Sequence, residues 1–192
     1  MNNTEEELEK DEPIEEPPAP QLPPELRVVG LLGEITEKKS EDVIYALLML
    51  VNEGDEDIDM YISSTGGAAI DMFSIYDLMR VTRSKVDVNT IGIGKVMSAA
   101  VILLAAGTKG KRKIAKNCRV MLHTVIAGNH GTLHDLENEM EEIKYTQDKY
   151  IEVLCKETKL TRKIIKKMFA KNVNVYLSAE EAVKYGIADE VI

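Results

Sequence analysis

No proline occurs after residue 24. All six (Pro13, Pro17, Pro18, Pro20, Pro23 and Pro24) fall within residues 1–25, beside nine acids and one base, Lys10. That stretch carries −8 of the chain's −9, so the rest is close to neutral. So sharp a change of composition marks a boundary near Glu25. Residues 1–25 are expected to form a disordered, acidic, proline-rich tail, and residues 26–192 one domain. The tail has no apolar core, which argues against a secretion signal, and its acids argue against an organelle transit peptide. It reads as a solvating arm, with a docking segment or a negative fringe around an opening as the other readings. Cysteine is scarce too. Cys118 and Cys155 are too few for a disulfide scaffold, which points to a reducing, cytoplasmic compartment. No stretch is apolar enough to span a membrane. The body lacks the positive excess of a nucleic-acid binder. Gly-x-x-x-x-Gly-Lys-Ser/Thr is absent, which disfavours a phosphate loop. His130 and His134 are four apart, but no further Cys or carboxylate pattern joins them, so neither a metal nor another cofactor is expected.

What the chain does have is Ile91–Gly107, glycine-punctuated at first and then almost wholly apolar. Ala99–Ala106 is long for a strand and short for a bilayer, and predicts a buried helix closed by Gly107. Ser98 stands at its mouth. A hydroxyl there can cap the helix by accepting from an unpaired backbone N–H. It can also be a nucleophile, with the N–H groups of the first turn available to a developing oxyanion.

The remainder of the body alternates strands and helices. Arg27–Leu32, Ile58–Ile62, Val86–Ile91 and Arg119–His123 read as strands. Helices are expected over Glu41–Glu53, capped by Ser40, and over about Ile70–Arg83. This order predicts an α/β fold with substantial parallel pairing, in which functional groups gather at strand C-termini and helix N-termini. Gly66-Gly67, Ser98 and His123 all occupy such places. The glycine pair is a tight turn or a backbone that approaches a ligand. Serine and histidine together suggest nucleophile and base. Cys118, with no helix start beside it, reads as a buried structural thiol. Thr132 and Asp135 open a long helix with an apolar seam (Leu133, Leu136, Met140, Ile143, Tyr150, Leu154) that breaks at Gln147. Ser178 and Glu181 form a capping-box pattern, with Gly186 closing that helix.

Residues 26–192 resemble the proteolytic subunit of the ATP-dependent Clp protease. The matching pieces are Tyr61–Gly67, Ile75–Met79, Gly94–Ser98, Leu103–Arg112, Val120–His123 and Ser178–Asp189. The resemblance implies a crotonase-related α/β fold of repeated β-β-α units with a protruding handle helix, here the long seam helix. Ala127–Gly131 would be the adjoining substrate-lining strand. It implies Ser98 as nucleophile, His123 as base, and the N–H groups of Gly67 and Ala99 as the oxyanion hole. It further implies heptameric rings stacked as a tetradecamer, fed by an AAA+ unfoldase. Several positions depart from the family pattern. The aspartate of the triad is Asn174, and the arginine before it is Val173. Pro-Gly-Gly is Thr65-Gly66-Gly67, and His-Gln-Pro is His123-Thr124-Val125. An aromatic of the unfoldase-docking pocket is Asp59. The resulting expectation is a serine endopeptidase with a Ser-His-Asn triad, slow or conditionally active, that degrades unfolded polypeptides. The alternatives are a non-catalytic ring subunit modulating an active paralogue and, third, a crotonase-type acyl-thioester enzyme.

Overall fold

The computed structural model describes residues 26–128, 130–171 and 174–192. The acidic tail, Asn129 and Val173 lie outside them. Strand β1 (Val28–Ile35), helix α1 (Glu37–Glu53), β2 (Ile58–Gly67), α2 (Ala69–Thr82), β3 (Val88–Met97) and α3 (Ala99–Ala105) alternate along the first half. Then come β4 (Arg112–Ile114), β5 (Arg119–His123), α4 (Leu133–Glu157), α5 (Arg162–Lys171), β6 (Asn174–Leu177), α6 (Ala179–Lys184) and β7 (Glu190–Val191). The sheet runs β1-β2-β3-β4-β7, all parallel. β3 is shared: residues 90–92 pair with β4, and 95–97 with β5. β5 in turn carries β6 antiparallel.

The first three strands outrun their apolar stretches. Register shifts at Leu32/Glu34 and Ile62/Ser64 divide β1 and β2 into two segments each, and β3 changes partner between Gly92 and Lys95. Each is followed by a helix, so the chain reads strand, strand, helix three times over. Of the second segments (Glu34–Ile35, Ser64–Gly67 and Lys95–Met97), the first two place Glu34, Thr65, Gly66 and Gly67 in the cavity described below, and the third leads into Ser98. Apolar composition marks only the first segments; the ladder continues through glycine, serine and lysine, where backbone pairing rather than side-chain burial sets the strand.

Every residue of α3 is buried, as the apolar run implies. Gly107, however, is not a left-handed helix terminator. It is required by crowding, since a Cβ there would stand 2.3 Å from Thr90 Oγ1. Helix α1 starts one turn earlier than its sequence suggests, capped by Thr36, whose hydroxyl accepts from Lys39 N–H. Ser40 is buried instead, and its hydroxyl donates to Asp71 O at 3.2 Å, tying α1 to α2. The capping boxes at Thr132/Asp135 and Ser178/Glu181 are both formed. No strand forms over 127–128 or 130–131, the described part of the expected Ala127–Gly131 strand. A strand there needs a free sheet edge beside it, and among the described residues β5–β6 pairing ends at His123 and Asn174.

Helix α4 has two environments. Tyr150, Ile151 and Leu154 enter the core, whereas Leu133, Leu136 and Met140 near its N-terminus are exposed. Its last residue, Glu157, is buried in a polar knot. The Tyr76 hydroxyl donates to Glu157 at 2.9 Å, and Arg80 and Lys109 stand at 3.3 Å. Arg112, also buried, donates to the carbonyls of Ala105, Glu157 and Gly186 and pairs with Asp189. Buried charges are tolerable only when paired and hydrogen-bonded, and this knot binds α2, α3, α4, β4 and the chain's C-terminal turn. None of the described helices is long and apolar enough to cross a membrane.

Candidate active site

The turn from β3 into α3 presents Ser98. Its N–H donates to Met121 O at 2.7 Å, fastening it to β5, and its carbonyl accepts from the Tyr150 hydroxyl at 3.3 Å. Its backbone has φ 54° and ψ −127°, the sole positive φ among described non-glycine residues. This conformation throws the side chain clear of the helix, and Ser98 makes no side-chain cap bond. The capping role is therefore not the one its hydroxyl plays. Ser98 Oγ lies instead 2.7 Å from Nε2 of His123, the last residue of β5.

Gly66 and Gly67 complete the wall. A Cβ on Gly66 would stand 2.6 Å from Ser98 Cβ and 3.0 Å from Ala99 N. A Cβ on Gly67 would stand 2.1 Å from Ile35 O. Both have positive φ, 87° and 154°. The pair is thus required by close backbone approach on both sides, to β1 and to the serine turn. The N–H groups flanking Gly67 are committed, that of Gly66 to Ser64 Oγ and that of Ala68 to Ile35 O, each at 3.0 Å. Alternation along an extended chain directs the Gly67 N–H away from β1. Ala99 opens α3, where an N–H has no partner within the helix.

These groups line one cavity of about 490 Å³, with Glu34, Thr124, Val125 and Tyr150 on its walls. Glu34 and Tyr150 carry no sequence signal of their own, since one lies in a strand's polar second segment and the other reads as seam. Burial pushes the Tyr150 hydroxyl up from its ordinary value, so it stays a proton donor.

Asn174 sits opposite His123 in the antiparallel β5–β6 ladder, where facing side chains share one side of the sheet. Its side chain is exposed. His123 Nδ1 is buried and has no hydrogen-bond partner among the described residues, so the amide and the ring are neighbours that do not touch. Cys118 is buried away from this group, and burial pushes its thiol up to about 11, as suits a structural residue. His130 lies outside α4 and His134 within its first turn.

Chemically, a hydroxyl in contact with an imidazole, beside unpaired backbone N–H groups in a cavity, is equipped for acyl transfer. The family model described as Clp protease matches residues 24–192. The match takes in the whole described region, and the α/β architecture, with its parallel sheet and interleaved helices, is the fold of that family.

Proposed function

The chain belongs to the Clp protease family, a family of serine peptidases, and we propose that it is an endopeptidase that cleaves unfolded polypeptides with Ser98 as nucleophile. The observation that carries this reading is the 2.7 Å contact between Ser98 Oγ and His123 Nε2. Ser98 Oγ attacks the scissile carbonyl while His123 Nε2 takes its proton. The carbonyl oxygen, now negative, is held by the N–H groups of Gly67 and Ala99. The tetrahedral intermediate collapses as His123 gives the proton to the leaving amine, and water then releases the acyl group by the same steps. Serine and histidine suffice for this chemistry, so no metal or cofactor is invoked.

Asn174 stands where the family has its aspartate. A rotamer change would let its amide oxygen accept from Nδ1–H, which orients the ring but supplies no charge to the imidazolium. The enzyme is therefore slow or conditionally active. Members of this family generally form rings and work with Clp ATPases. The exposed Leu133, Leu136 and Met140 support contact with further copies, and thus heptameric rings stacked as a tetradecamer. An AAA+ unfoldase or a Clp-type paralogue is the partner class, though Asp59 weakens the usual docking pocket. Two free cysteines support a cytoplasmic setting, and residues 1–25 are assigned to a solvating tail.

A second reading, a non-catalytic ring subunit, is favoured by His123 Nδ1, which has no hydrogen-bond partner among the described residues. Fluorophosphonate labelling separates the two. The parent should be labelled and should cleave small fluorogenic peptides, while Ser98→Ala assembles alike and does neither. Equal cleavage by both proteins would remove Ser98 as nucleophile. Intact rings that never react would establish the non-catalytic subunit.

A further inference from the structure

The apolar seam of α4 is interrupted at Gln147, in the helix that carries Tyr150 into the site. The interruption has a partner. Gln147 Oε1 accepts a hydrogen bond from the backbone N–H of Val125 at 2.6 Å. We infer that Gln147 is a positioning residue for His123, holding the chain two residues beyond the base; the inference rests on the reading of His123 as that base.

β5 ends at His123, and its last described pairing, with Asn174, ends there too. Residues 124–128 form no strand. The segment that leaves the imidazole and forms a wall of the cavity thus has no sheet pairing among the described residues, and the side chain of Gln147 holds it there. The amide's orientation follows from its partner. Val125 offers a donor, so the carbonyl end must face it, and Gln147 Nε2 is left buried with no partner among the described residues. A helix position that keeps a buried amide half-satisfied, where leucine or methionine would extend the seam, is accounted for by what the other half holds. The requirement is local to this chain. The family pattern has proline at the place of Val125, and proline has no N–H to satisfy. Here valine brings a half-buried donor into the site's wall, and Gln147 takes it up.

Gln147 and Tyr150 are three residues apart and therefore on one face of α4. One grips the chain after the base, the other the carbonyl of the nucleophile, at 3.3 Å. Both halves of the Ser98–His123 pair are thereby referred to one rigid helix. Contact at 2.7 Å leaves little tolerance, and displacements of about 1 Å cost such sites up to ~10²-fold in rate.

The test uses the full chain in four variants: Gln147→Met, which removes the acceptor at similar volume; Gln147→Glu, which keeps it; Val125→Pro, which removes the donor; and Gln147→Met with Val125→Pro. Two quantities are read: hydrogen exchange across residues 122–128, and the rate of fluorophosphonate reaction at Ser98. Gln147→Met should raise exchange there and slow labelling by about tenfold or more. Gln147→Glu should restore both, and Gln147→Met should change neither further once Val125 is proline. The inference is overturned if Gln147→Met leaves exchange and labelling unchanged, or slows labelling equally in the proline background. It is also overturned if Gln147→Glu is as slow as Gln147→Met. Should Gln147→Met fail to fold, Gln147→Glu and Val125→Pro carry the comparison. A parent that never reacts defeats the peptidase reading separately, and exchange still decides whether Gln147 anchors Val125.

Discussion

His123 and Asn174 face each other as the last described pair of the β5–β6 ladder, and still the Nδ1 of His123 is buried without a hydrogen-bond partner among the described residues. When Nε2 accepts from Ser98, Nδ1 bears the proton, and an unmet buried donor costs about 1–3 kcal/mol. On the proposed mechanism the ring also acquires a positive charge, and no carboxylate among the described residues is hydrogen-bonded to Nδ1 to support it. A carboxylate at position 174 would answer both needs.

Asn174→Asp should accordingly raise peptidase turnover. A gain of about tenfold is expected, far below the ~10⁴-fold that the reverse change costs a complete triad, because the exposed side chain at position 174 is not held against the ring. Turnover of a small fluorogenic peptide, with ring size followed by light scattering, measures it. Intact rings with unchanged or lower turnover would mean that Asn174 does not serve His123.

Gly67→Ala should destabilise the fold. Its Cβ would stand 2.1 Å from the backbone oxygen of Ile35, at a φ of 154° that L-residues rarely adopt. Neither obstacle is a flexible side chain. A loss of about 3 kcal/mol follows from overpacking and strain together, read as the shift in denaturant midpoint. Gly128→Ala, with nothing within 4 Å of its Cβ, should stay within about 0.5 kcal/mol of the parent.

Acid should loosen the knot at Glu157. Burial by itself would raise this carboxyl, but the Tyr76 hydroxyl, Lys109 and Arg80 outweigh it and hold the group below its ordinary 4.5. A carboxylate depressed in the folded state contributes stability that is present above its unfolded value and lost as pH falls through its folded one. The melting temperature should therefore hold from neutrality down to about pH 4.5 and drop below it. Asp189, depressed against its burial by Arg112, acts in the same direction. Glu157→Gln should flatten the acid limb and cost about 3 kcal/mol at neutral pH, the low end for breaking a buried pair, since Arg80 and Lys109 reach solvent.

The parts of the fold that were legible in the sequence are those set by burial. Ala99–Ala106 could only be an interior helix, and the apolar halves of β1, β2 and β3 announced themselves. Their second halves did not. Ser63-Ser64-Thr65 and Gly94-Lys95 have the composition of turns, and only the ladder, a property of their neighbours, makes Ser64–Gly67 and Lys95–Met97 strand. Ser40 looked like a cap because serine usually is one, whereas the start of α1 was decided by Thr36, and Ser40 faces α2. Ser98 and His123 were legible by residue type at strand and helix ends. The state of Nδ1 was not, because it depends on a rotamer. Gln147 showed only as a flaw in a repeat, since its partner is a backbone N–H, which no side-chain pattern records.

The φ of 54° at Ser98 is a cost carried by the fold. A side chain held in that region costs about 1–3 kcal/mol, and glycine would occupy it with far less penalty. Ser98→Gly would relieve that strain and remove the hydroxyl that touches His123. Fold stability and this contact therefore pull position 98 in opposite directions, and only the contact asks for serine.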